Sequence, residues 1–201
     1  MQRRLFLAFA ALLLAGCAST TLRDSWSDPA FRGPPFRKVL VLGVTGDVAA
    51  RRIFEDVMAA RITATGAEGI PAYRFLPDGG RIPEAELDRA VRASGADALL
   101  MSRVRNIDRR TDVFTTMAPA PGSGPWGPGW YGMYSGWFPV TEVRQYDIAV
   151  VETTLFDTAP KQLVWTGMTE TYEPRSMQQD APGFSDVIVK ALAGRGLLPS
   201  R

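Results

Sequence analysis

Residues 38–44, KVLVLGV, constrain the fold more than any other stretch. The run is apolar and β-branched at consecutive positions, with no polar residue recurring at every second place. A half-exposed strand alternates, whereas a strand covered on both faces reads as a continuous apolar run. The stretch therefore predicts an interior strand of a sheet with layers on each side.

The flanking sequence supplies those layers. Asp47 is placed to cap a helix running to about Arg61, since its short carboxylate can accept from orphan N–H groups of the first turn. Ile53, Val57 and Ala60 fall on one face of that helix, with Phe54, Met58 and Ile62 beside them, and Gly66 closes it. Ile70–Leu76 reads as a short second strand. Pro83 opens a second helix, Leu87, Ala90, Val91 and Ser94 face inward, and Gly95 ends it. A third strand is expected over Ala96–Ile107, further strands over Val143–Phe156 and Leu163–Tyr172, and a closing helix around Phe184–Gly194. The order β-α-β-α-β-(long loop)-β-β-α specifies a single small α/β sandwich with a mixed sheet: parallel at first, then antiparallel.

Between the third and fourth strands lies APAPGSGPWGPGWYGMYSGWFP, residues 118–139. So dense a mixture of Gly and Pro fits no regular element, and a loop of this length generally carries function. Trp126, Trp130, Tyr131, Tyr134, Trp137 and Phe138 sit in it. Such rings combine apolar area with a polar tip, which suits a protein partner, a sugar face or a membrane interface. They are the candidate partner-binding residues; the competing reading is that they fold back over an open face of the sheet.

The N-terminus places the chain in a cell compartment. Arg3 and Arg4 precede the apolar run Leu5–Leu14, which is too short for the ~20 residues of a spanning helix and has the form of a signal-peptide core. The run ends in Leu14-Ala15-Gly16-Cys17, which resembles the lipobox of bacterial lipoproteins. That resemblance implies a signal peptide over 1–16, cleavage before Cys17, and a lipidated Cys17 carrying acyl chains such as palmitate. Residues 17–36 then form the lipidated Cys and a polar tether, and 37–198 the folded domain. Trp26 and Phe31 are unusual for a free tether and are expected to dock on that domain. Ala18 and Ser19 follow the Cys where retained inner-membrane lipoproteins carry Asp, so the resemblance implies the outer membrane at its periplasmic face.

Composition removes several chemistries. The chain holds no histidine, which excludes Ser-His-Asp and Cys-His nucleophile systems and zinc sites of the Cys/His kind. Its 23 basic and 21 acidic residues differ only by Arg3 and Arg4, so the mature chain balances and offers no bulk charge for nucleic acid. Lys38, Lys161 and Lys190 are the only lysines, and no S-x-x-K motif accompanies them. GVTGDVA, residues 43–49, has a glycine spacing found in some dinucleotide-binding turns, but a tight strand-to-helix turn capped by Asp47 is the plainer reading. Asp108 with Asp112, or Glu152 with Glu170, could form an acid–base pair; solvated faces are the plainer reading. Arg103, Arg105, Arg109 and Arg110 are expected to pair with Asp108, Asp112 and Glu142. No stretch resembles a calcium loop. The expectation is therefore no catalytic residue, no metal and no cofactor beyond the covalent lipid.

DSWSDPAFRGPPFRKVLVLGV, RRIFEDVMAARITATG, SGADALLMSRV and QLVWTGMTETY together resemble a family of bacterial envelope lipoproteins catalogued as a domain of unknown function. The resemblance covers nearly all of the mature chain and implies an envelope lipoprotein domain, without transferring a catalytic residue. In architecture alone, anchor plus tether plus small α/β domain is similar to lipoproteins of envelope assembly. The sequence thus points to a non-enzymatic, membrane-anchored module that binds an envelope protein. A glycan or peptidoglycan binder, and a carboxylate-dependent envelope hydrolase, are the alternatives.

Overall fold

A computed structural model describes residues 20–78, 82–119 and 137–199, with backbone only at 118, 119, 137 and 138. Six strands and three helices make up the described chain: β1 (Thr20–Ser27), β2 (Lys38–Val44), α1 (Val48–Ala64), β3 (Glu68–Pro71), α2 (Glu84–Ser94), β4 (Ala98–Pro119), β5 (Trp137–Asp157), β6 (Gln162–Tyr172) and α3 (Met177–Gly194). The strands form one mixed sheet in the order β1-β6-β5-β4-β2-β3. β2 runs parallel to β3 and β4, while β6 runs antiparallel to β5 and β1. The expected mixed α/β class is therefore present, with one strand more than the sequence reading placed.

KVLVLGV is the inner strand its composition predicts. Val39 and Val41 enter a cluster with Phe54, Met58 and Ile62 of α1 and Ile188 and Leu192 of α3. Leu40 and Leu42 point the other way, into a cluster with Ile70, Ala72 and Leu76, against Ala90 of α2. The period-two alternation of a strand delivers both sets, one to each helical layer.

Local signals set several element ends. Asp47 caps α1 through its Oδ1, which accepts from Ala50 N at 3.0 Å. Pro83 precedes α2, and Gly95 ends it in the left-handed conformation at φ 65°, which a residue without Cβ adopts at little cost. At Gly69, by contrast, the need is space: a Cβ there would run into the backbone of Ala59 where β3 crosses α1.

The structure moves several sequence-based readings. The strand expected to end at Ile107 runs to Pro119 and the one expected from Val143 starts at Trp137, so strand takes up both ends of the expected loop 118–139. The segment read as tether holds β1, whose strand character comes from pairing: Thr20 opposes Thr171 and Ser27 opposes Trp165. Phe31 docks as expected, its ring 5.4 Å from that of Phe36, whereas Trp26 stays about half exposed. β3 stops at Pro71, and a single 3₁₀ turn over Ala72–Arg74 replaces the remainder of the expected strand. The buried face of α1 is Phe54, Met58, Ala59 and Ile62 together with Arg51 and Glu55, not the Ile53, Val57 and Ala60 stripe. Finally, α3 begins at Met177 and runs through Pro182. Its first turn is held by Asp180 Oδ2, which accepts from Arg175 N at 2.7 Å.

The chain divides into two compact units, residues 109–147 and the remainder. The larger unit contains the three helices and both apolar clusters. In the smaller unit, the outer parts of β4 and β5 carry Val113, Phe114, Met117 and Val143 exposed, and Arg109 Nε donates to Asp147 Oδ1 at 3.0 Å. Among the described residues no helix is long and apolar enough to cross a membrane.

Candidate functional site

The parallel arrangement of β2 and β4 gives the larger unit a carboxyl end. Ligand sites of open α/β sheets form there because chains diverge into helices and leave a crevice. Here β2 leads through Gly43, Val44 and Thr45 into α1, and β6 leads through Pro174 to Ser176 into α3. Both helices start at this end, and their first turns leave an apolar cavity of about 370 Å³ between themselves and the sheet. Phe54 of α1 and Phe184 of α3 close its depth, their rings 5.9 Å apart in edge-to-face contact. Val104, Ile107, Ala149 and Val151 form the sheet wall, and Ala50, Met177 and Ala181 the helical wall.

The polar lining includes Arg103 and Arg175 besides hydroxyl groups and one carboxylate. Ser102 and Thr171 lie on its sheet side, both buried, and Ser102 Oγ shares a hydrogen bond of 2.9 Å with Thr153 Oγ1. Asp180 faces it from α3; its Oδ2 is taken by Arg175 N, while its Oδ1 is shut off from water with no hydrogen-bond partner among the described residues. A small number of polar groups around a mostly apolar lining is the usual make-up of a pocket for an apolar or amphiphilic ligand.

A second, polar feature lies beside it. Glu55 is fully buried, and its Oε1 accepts from Arg51 Nε at 2.8 Å and from Gly43 N at 3.1 Å. Its Oε2 accepts from Tyr73 N at 2.7 Å, and Arg51 Nη1 donates to Pro77 O at 2.8 Å. One carboxylate thereby ties the end of β2, α1 and the turn after β3 together. The residues of this knot form hydrogen bonds to backbone, so its role is positional: it fixes the strand-to-helix turn that forms one lip of the cavity. At the surface nearby, Tyr73 Oη donates to Asp56 Oδ1 at 2.7 Å, and that bond, followed by burial, raises the Tyr73 pKa.

The residues singled out from sequence distribute as follows. Cys17, Trp126, Trp130, Tyr131 and Tyr134 lie outside the described residues, and of Trp137 and Phe138 the backbone opens β5. GVTGDVA is a capped strand-to-helix turn; its Gly43 is needed because a Cβ would stand 2.9 Å from Phe54 Cδ1. Glu152 and Glu170 share a sheet face on neighbouring strands, Glu170 opposing Val150. Arg103 Nε holds Glu152 at 2.7 Å, and Arg23 Nη1 holds Glu170 at 3.1 Å. The expected arginine partners are thus corrected: Arg103 and Arg105 pair with Glu152 across the sheet, and Arg109 with Asp147, because cross-strand neighbours are nearer than residues further along one strand. Asp108 instead accepts from Asn106 Nδ2 at 2.6 Å. Among the described residues no group of three or more acidic or thiol side chains is placed to hold a metal.

Sequence reasoning missed the cavity and the buried Arg51–Glu55 pair. The cavity is made by small residues, Gly43, Ala50, Ala149 and Ala181, on four separate elements. No local pattern links them.

No family model matches the chain, and no curated protein matches it. Solved structures similar to it include the PelC dodecamer from Paraburkholderia phytofirmans, at 16% identity and a TM-score of 0.46, covering 91% of this chain and 100% of that one. The lipoprotein GNA1162 from Neisseria meningitidis is similar at 14% identity and a TM-score of 0.41, over 79% of this chain and 96% of that one. A PDZ domain protein from Parabacteroides distasonis aligns at 11% identity and a TM-score of 0.34, over 95% of this chain and 40% of that one. At these values the similarities assign no activity to the chain.

Proposed function

We propose that the protein is a lipid-anchored module of the bacterial envelope, held at the periplasmic face of the outer membrane through Cys17, that acts by binding a partner and not by catalysis. The anchor rests on the charged start, the short apolar run and Leu14-Ala15-Gly16-Cys17. The observation that carries the binding role is the contrast between the described charges and the described apolar surface. Glu152 and Glu170, one of the candidate acid–base pairs, are each engaged by arginine. Meanwhile Val113, Phe114, Met117 and Val143 stay exposed on the strands that flank the aromatic segment. Trp26, Val44, Val104 and Ile107 of the larger unit are exposed too, but in the smaller unit the exposed apolar side chains fall within two strands that flank the aromatic segment, which favours a protein contact there.

The aromatic residues Trp126, Trp130, Tyr131, Tyr134, Trp137 and Phe138 supply the anchors in this reading. Replacing Trp126, Trp130 and Trp137 together by Ala is expected to abolish co-purification of a specific envelope protein from chemically crosslinked cells. If that triple variant keeps the same partner, the segment is not the binding surface. Saturable binding of peptidoglycan fragments, lost in the same variant, would favour the glycan reading instead.

A further inference from the structure

The cavity at the carboxyl end of the sheet has an occupant within reach, and the argument rests on the proposed lipidation of Cys17. β1 enters the sheet at Thr20, whose Oγ1 lies 2.9 Å from Oγ1 of Thr171. Thr171 is itself a lining residue of the cavity. Antiparallel pairing puts the start of β1 against the end of β6, which continues into the lining residues Pro174, Ser176 and Met177. Two residues, Ala18 and Ser19, separate Cys17 from Thr20. Three residue steps cover at most ~11 Å. A thiol at Cys17 is therefore confined to the neighbourhood of the cavity mouth once β1 is paired.

We infer that the cavity is an acyl-chain site, and that it receives one of the chains carried by the protein's own Cys17. The lining matches that chemistry: Phe54, Phe184, Met177, Ile107 and Val151 present apolar surface, and Arg103 and Arg175 are the cationic residues among the lining. A volume of about 370 Å³ lies in the range of small-molecule sites. The transfer of methylenes from water into such a lining is favourable by ~0.8 kcal/mol each, so an unsheltered chain between membranes is drawn in. Sheltering one chain gives the protein two states: chain in the cavity while the molecule is away from a bilayer, and chain in the bilayer once it is docked.

The test uses the full-length protein made in cells fed a palmitate analogue with a photoreactive diazirine along its chain. After illumination and proteolysis, the expected product is an intramolecular adduct joining the Cys17 peptide to peptides containing Phe54, Met177 or Phe184. Filling the cavity by Ala149→Leu, or independently by Ala181→Leu, is expected to remove that adduct while Cys17 stays acylated; an unfolding curve identifies a variant that does not fold. Acylated Cys17 that crosslinks to bulk lipid alone overturns the cavity assignment and leaves the anchor standing. A mature protein without acyl mass at Cys17 overturns both. Cavity labelling that persists in Cys17→Ala overturns the anchor as the source and assigns the site to a free membrane lipid.

Discussion

β4 and β5 pass through two kinds of surroundings. In the larger unit Leu99, Leu100 and Leu155 are buried, Leu100 and Leu155 completely, because helices lie over both faces of the sheet. In the smaller unit Val113, Phe114, Met117 and Val143 are each more than half exposed. Both stretches are β-strand, so backbone conformation does not account for the difference. A pair of strands buries little by itself and needs a further layer to shield its apolar side chains. The larger unit has that layer within the chain over most of its sheet, leaving Val104 and Ile107 of β4 exposed beside the open cavity. In the proposed reading, the smaller unit obtains it from a partner.

Substitutions at matched depth sharpen this comparison. The largest loss is expected at Trp165, which is fully buried and whose ring lies over Gly167. Trp165→Ala should lower unfolding stability by ~3–5 kcal/mol in urea titration. Glu55→Ala should cost about as much, ~3–5 kcal/mol, because it strands Arg51 in the interior. The double variant Arg51→Met, Glu55→Leu should regain only the part due to the stranded charge, since Gly43 N and Tyr73 N still lack their acceptor. If the double variant is no better than the single, the loss comes from the two orphaned backbone N–H groups and not from the stranded charge.

In the smaller unit the same measurement should register little. Val113→Ser, Met117→Ser and Val143→Ser are expected to change stability by no more than ~0.5 kcal/mol each, while together weakening partner capture in crosslinked cells. A loss of several kcal/mol from any one of them would break the comparison, because it would mean that the residue is already packed within the chain.

The smallest effect is a pH dependence confined to alkaline solution. Tyr73 donates to Asp56, so the folded protein favours the protonated phenol and its pKa is raised above the ordinary 10.0. That stabilisation is complete below pH 10 or so and is lost as pH rises through the higher folded value. Tyr73→Phe should flatten this alkaline decline in stability and leave the neutral fold intact; an unchanged profile would assign the decline to other groups.

What was legible in the sequence were the features that one segment encodes by itself. KVLVLGV specifies a strand covered on both sides, Asp47 a cap, and Gly95 a left-handed stop, and each is found. β1 was not legible because TTLRDSWS carries little apolar patterning, and only its pairing with β6 makes it a strand. The α1 face was misplaced because Arg51 and Glu55 look like solvent residues until each is seen to partner the other in the interior. The start of α3 was hidden by Pro182, which removes one hydrogen bond from the second turn without ending the helix. The cavity follows from four elements meeting, a tertiary property that no window of sequence contains.

The most direct test of a partner-binding envelope module is photo-crosslinking in living cells with a reactive amino acid at Trp130. A discrete, reproducible protein adduct that requires an intact Cys17 is the predicted result. Adducts that are diffuse, or equally strong when Cys17 is replaced by Ala, would contradict a membrane-anchored module acting through a defined protein contact.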